Sequence, residues 1–243
     1  PPRSTLFPYT TLFRSGLKEP SIPLKSKALS DTIVACAGNL CPYAVWSIKD
    51  ETSYLPLAKI NEHRIQVGFS GCAKGCGRHR HTDIGLIGLK TNNFGDTEGG
   101  ARIFIGAQHS TGGIAARQLF SMVPFVYLEG VVSLLIEFFE RSGCADFEEF
   151  AAKVINNYSE EFVSLWVLAN LETSKKAELP QRDSETTFEE EKELLKKEFA
   201  ELDFWEHVDE SFFNAVSYLS KKLWTIEGED PHYKPKIERT NFR

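Results

Sequence analysis

Four of the five cysteines in this 243-residue chain fall in two tight pairs, Cys36 with Cys41 and Cys72 with Cys76. Thiolates gathered in this way are soft metal ligands. A cubane iron–sulfur cluster needs four of them pointing inward from a cage, and local pairs brought together by the fold supply such a set. The pairs here have four and three intervening residues, whereas structural zinc sites more often have two, because a tight knuckle turn suits one small tetrahedral ion. The spacing points to an iron–sulfur cluster ahead of zinc or of unliganded core thiols. Cys144 stands alone at a helix connection and reads as a small buried apolar residue.

The elements around the pairs must bring them together. Thr32 to Ala35 is a short apolar run ending at Cys36, and Pro42 opens a stretch with Ala44, Val45 and Ile48 at helical spacing. Ile65, Val67 and Phe69 alternate as a half-buried strand does, and the run ends at Gly71 and Cys72. Both pairs therefore sit at strand ends. The loop Gly71-Cys72-Ala73-Lys74-Gly75-Cys76-Gly77 carries three glycines, which allow backbone amides to crowd a bound group. Ile84 to Leu89 is apolar enough for a central strand, and Arg102 to Ile105 alternates as another.

From Pro124 the apolar period becomes helical, through Val131, Val132, Leu135, Ile136 and Phe139, with Gly143 placed to end the helix. Asp146 and Glu149 have capping-box spacing for a second one. Residues 172–186 are polar and read as a linker; Thr187 and Glu190 then open an acidic tail of two amphipathic helices, 187–243. The apolar stripes of that tail, Phe188, Leu195 and Phe199 on one helix and Phe212, Val216 and Leu219 on the next, must cover each other, the body or a partner. The fold class expected is α+β, a mixed sheet packed with helices, in a domain spanning 16–171 and followed by the helical tail.

Residues Thr5 to Ser15 (TLFPYTTLFRS) match the in-frame translation of a sequencing adaptor, so 1–15 are set aside from fold reasoning. The formal net charge is −6, which does not supply the basic face that binding nucleic-acid phosphates requires. No run of about 18 apolar residues exists to span a bilayer. An odd cysteine count in a chain of this length argues against a disulfide framework and for a reduced, cytoplasmic setting.

The blocks ACAGNLCPYA, VGFSGCAKGCGRHRHTDIGLIG, RIFIGAQHSTGG and DFEEF follow the order and character found in siroheme-dependent nitrite and sulfite reductases, and the chain resembles that family from about Leu29 to Asn170. The resemblance implies that Cys36, Cys41, Cys72 and Cys76 hold a [4Fe-4S] cluster and that Cys76 bridges it to the siroheme iron at the catalytic centre. It implies six-electron reduction of sulfite to sulfide or of nitrite to ammonia. It further implies an electron-donor protein or domain as partner, and an N-terminal half that supplies most of the basic residues for the cofactor carboxylates and the substrate oxyanion. Lys74 and Arg78 become candidate cofactor contacts, with Arg80 and His81 beside them, and His79 is read as neither a metal ligand nor a proton donor. Two further readings fit the same residues: a non-catalytic [4Fe-4S] electron-transfer or structural subunit, and a siroheme-type redox enzyme of corrinoid synthesis. The chain departs from the family pattern in its first pair, which is one residue shorter than usual, and in Lys74, where asparagine is usual.

Overall fold

The computed structural model describes residues 32–44, 51–94, 96–110 and 113–224. The set-aside segment 1–15 and most of the helix expected through Val45 and Ile48 lie outside them. Five strands form one mixed sheet in sequence order: β1 Ile33–Ala35, β2 Val67–Ser70, β3 Ile84–Phe94, β4 Asp96–Ile105 and β5 Arg117–Pro124. The first three run parallel, with Val67 opposite both Ile33 and Ile84. The last two turn back antiparallel, with Ile84 opposite Ile105 and Ile105 opposite Arg117. β3 is the central strand the sequence suggested. β5 is an element the sequence reading missed, because its residues Arg117 to Pro124 mix polar and apolar groups and its register against β4 slips twice.

One face of the sheet carries the main core. Val67, Phe69, Ile84, Leu86, Ile103 and Ile105 are all buried there, as strict alternation requires. Helices α1 Leu57–Glu62, α2 Phe125–Ser142, α3 Phe147–Lys153 and α4 Glu160–Thr173 contribute to the same core. Helix α2 ends where expected, at Gly143 in the left-handed conformation with φ 72°. Asp146 caps α3 by accepting the Glu149 N–H. Among the described residues no helix is long and apolar enough to cross a membrane.

The helical tail covers the body. Helix α5 Phe188–Phe199 begins with a complete Thr187–Glu190 capping box, and its Phe199 packs edge-on against Trp166 of α4 at 5.2 Å. Ahead of helix α6 Phe213–Trp224, Phe212 meets both Phe162 and Phe188. Trp224 meets Phe120 of β5 at 5.6 Å. Such aromatic pairs add to the area they bury, each by about 0.5–1.5 kcal/mol. The intervening residues 174–187 have no regular structure but are pinned: Trp166 Nε1 donates to the Ala177 carbonyl, and the Tyr158 hydroxyl donates to that of Pro180. Glu191, buried on α5, accepts from both the backbone N–H and the hydroxyl of Ser159 at 2.6 Å, so the tail also caps the start of α4.

Candidate functional site

Both cysteine loops leave the same end of the parallel part of the sheet. After β1 the chain makes a 3-10 turn, Gly38–Leu40, between Cys36 and Cys41. After β2 it enters the Gly71–Gly77 loop, which Gly75 allows by adopting φ 79°. The loops are tied to each other through Cys36: its N–H donates to the Phe69 carbonyl, and its Sγ accepts the Gly38 and Gly71 N–H groups at 3.3 and 3.2 Å. Cys36, Cys41, Cys72 and Cys76 together line one cavity of about 60 Å³, with Ala37, Ala44, Ser70 and Gly71 completing the wall. All four are free thiols, three half-buried and Cys76 exposed.

Lining a cavity is a weaker arrangement than caging an ion. Among the described residues no three His, Cys, Asp or Glu side chains come together as a set that could hold a metal ion. This overturns the expectation of a [4Fe-4S] cluster, and with it that of a siroheme bridged through Cys76. A cubane needs four sulfurs aimed at one centre. Here Cys36, Cys41 and Cys72 are half-buried and Cys76 stands at the solvent rim, and among the described residues no three of them gather as such a set.

The second loop then folds back over the other face of the sheet, and two glycines make room for it. A Cβ at Gly68 of β2 would strike the Gly77 carbonyl and Thr82, and one at Gly85 of β3 would strike the His79 carbonyl. Strand glycines of this kind mark a close backbone approach, and this was the signal available in the sequence. Ser70 fastens the loop: its hydroxyl accepts the Gly77 N–H at 3.0 Å and shares a 3.0 Å hydrogen bond with His79 Nδ1. His79 is 4% exposed and lies against Phe104. Burial, followed by the nearby charges of Arg80, His81 and Arg102, lowers its pKa to about 4, so the ring is neutral at physiological pH.

The other expected contacts lie around the cavity rather than in its wall. Lys74 sits over the Tyr43 ring, 3.6 Å from its centroid. Arg78 adopts φ 57°, a left-handed conformation unusual for a residue with a side chain, and its side chain is exposed. Arg80 and His81 are also exposed. Arg102, which the sequence reading passed over, joins this cationic group from β4. A separate buried cluster joins Asp83 and Glu148 through His109, whose Nε2 is 3.3 Å from Asp83 and whose Nδ1 is 3.6 Å from Glu148. The Asp83 carboxyl is raised above the usual range chiefly by burial. It accepts the Gln66 N–H, and Glu148 accepts that of Ser110, so this cluster ties loops together.

Fold and site thus define a mixed α/β domain with a thiol-lined cavity at one end of its parallel strands and a cationic loop laid across its open face. No family model matches the sequence, and no curated protein does. Among solved structures, the chain is similar to the NirA protein of Mycobacterium tuberculosis, with a TM-score of 0.43 and 18% identity over 52% of this chain and 25% of that one. The chain thus spans a quarter of the length of that protein.

Proposed function

We propose that this chain is part of an oxidoreductase acting on a small oxyanion, sulfite or nitrite, and that it contributes the thiol-lined cavity and the cationic approach to it. The observation that carries the reading is the convergence of Cys36, Cys41, Cys72 and Cys76, from loops 30 residues apart and more, on one cavity. Reactive cysteines sit in electropositive, partly exposed surroundings, whereas buried structural ones are inert, and these four are half-buried or exposed, with Lys74 and Arg78 beside the second pair. Lys74 and Arg78 interleave or directly follow the second pair in sequence, and a local excess of positive charge raises the concentration of anions near the cavity.

The test is made on the full-length protein. With reduced viologen as electron source, sulfide or ammonia formation is measured for the wild type, Cys76→Ser and Arg78→Gln. The reading expects turnover of at least one oxyanion, a loss of about 100-fold or more in Cys76→Ser, and a raised KM with smaller change in kcat in Arg78→Gln. A wild-type protein that reduces neither anion overturns it.

A further inference from the structure

The face of the sheet opposite the helices holds a second feature that the cysteine cavity does not use. Ser70, Ile87 and Arg102 stand in one register row across β2, β3 and β4. Gly68, Gly85 and Phe104 form the next same-face row. Loop 77–81 lies on the two glycines and brings Arg80 over the Phe104 ring, 5.5 Å from its centroid. The loop is held there by the Ala116 N–H, which donates to the Arg80 carbonyl at 2.9 Å. Ile87, Phe104, Ala107 and Ala116 make a small packed floor beneath.

Two guanidinium groups are thereby set close together above an apolar floor. Burial and then Arg80 lower the pKa of Arg102, and both arginines, after burial, lower that of His79. Neither Arg80 nor Arg102 has a carboxylate within ion-pair distance among the described residues. Arg102 spends one donor on the Ser121 carbonyl. Acidic side chains are plentiful, 34 in the chain against 28 basic, so the lack of an acidic ion-pair partner for Arg80 and Arg102 among the described residues is a local exception. Folding places like charges side by side at a cost unless something else compensates them.

We infer that Arg80 and Arg102 form a binding site for a phosphate-type oxyanion on the open face of the sheet, about two strand spacings (~10 Å) from Ser70 and the cysteine cavity. Planar guanidinium groups present paired N–H donors that match two oxygens of such an anion, and two of them compensate a divalent charge. The buried Phe104 and Ile87 hold the pair in place and lower the local dielectric, which strengthens charge-assisted hydrogen bonds. This inference does not depend on the whole protein being a sulfite or nitrite reductase.

Inorganic phosphate is the probe. It is titrated into the full chain with ionic strength held constant by chloride, and binding is followed by the arginine Nε–H resonances and by the unfolding midpoint. The wild type should show saturable shifts of two arginine side chains and a rise in the midpoint. Arg80→Gln and Arg102→Gln should each weaken binding at least about tenfold, with Arg102→Lys intermediate because it keeps charge but loses the fork. Shifts no larger than those from chloride, or equal binding by the folded Arg80→Gln/Arg102→Gln double variant, would overturn the site. Should a variant fail to fold, the wild-type comparison of phosphate with chloride decides alone.

Discussion

The Lys74 ammonium lies 3.6 Å from the centroid of the Tyr43 ring, and this contact joins the two loops whose cysteines line the cavity. Tyr43 follows Cys41 by two residues and Lys74 lies between Cys72 and Cys76, so the contact acts as a clasp between the pairs. An exposed cation–π contact contributes about 0.5–1 kcal/mol. Lys74→Ala or Tyr43→Ala is therefore expected to speed alkylation of Cys41 and Cys72 by iodoacetamide about two- to fivefold, measured by peptide mass spectrometry. Rates equal to wild type in both variants would remove the clasp.

Gly85 is where the second loop touches the sheet. Gly85→Ala drives a methyl group into the His79 carbonyl, and neither backbone is the flexible end of a side chain. Overpacking of this kind costs about 1–3 kcal/mol. The expected result is a lower urea midpoint together with a changed His79 ring resonance, which a substitution remote from the loop would not produce.

His79 makes stability depend on pH in a defined window. Its folded pKa of about 4 lies below the ordinary value of 6.5, so between these pH values the unfolded chain binds more protons than the folded one. Stability from this group is full above pH 6.5 and is lost as pH falls toward 4. After allowance for screening by water at the loop surface the loss is about 1–2 kcal/mol. Wild type and His79→Gln, compared by denaturation from pH 7 to pH 4, should converge as the pH falls; parallel curves would contradict a buried neutral ring.

Glu191 holds the tail to the body through short hydrogen bonds from Ser159 and a further one from the Thr186 hydroxyl. It is 2% exposed. Glu191→Ala leaves the Ser159 N–H and hydroxyl without their acceptor, while the Thr186 hydroxyl keeps the Asn157 carbonyl, and hydrogen bonds to charged groups are each worth about 1.5–3 kcal/mol. The variant is expected to lose about 2–4 kcal/mol. In hydrogen exchange, α5 and α6 should lose protection ahead of the sheet, and uniform loss throughout the chain would show that the tail and body do not separate at this point.

Alternation and capping chemistry are local properties, so much of the fold was legible from the residues alone. β2 and β3, the end of α2 at Gly143, the Asp146 cap and the Thr187–Glu190 capping box all follow from neighbouring side chains. The pairing of cysteines at strand ends was legible for the same reason, since Cys36 and Cys72 each directly follow or nearly follow an apolar run. β5 was not, because its pattern is shaped by a slipping register with β4 that no single segment encodes.

What the tertiary structure decided was direction and distance. Four thiols at suitable spacings suggest a cage, but whether sulfurs meet at a point depends on side-chain torsions and on how closely two distant loops approach, and among the described residues the four line a cavity without gathering as a ligand set. In the same way, Arg80 and Arg102 are 22 positions apart and meet only because Gly68 and Gly85 let a loop lie flat on the sheet. Sequence determines which groups are available and which short segments are regular, because both depend on contacts within a few residues. Three-dimensional packing determines which of those groups face one another, because that depends on long-range contacts made by residues with no chemistry of their own.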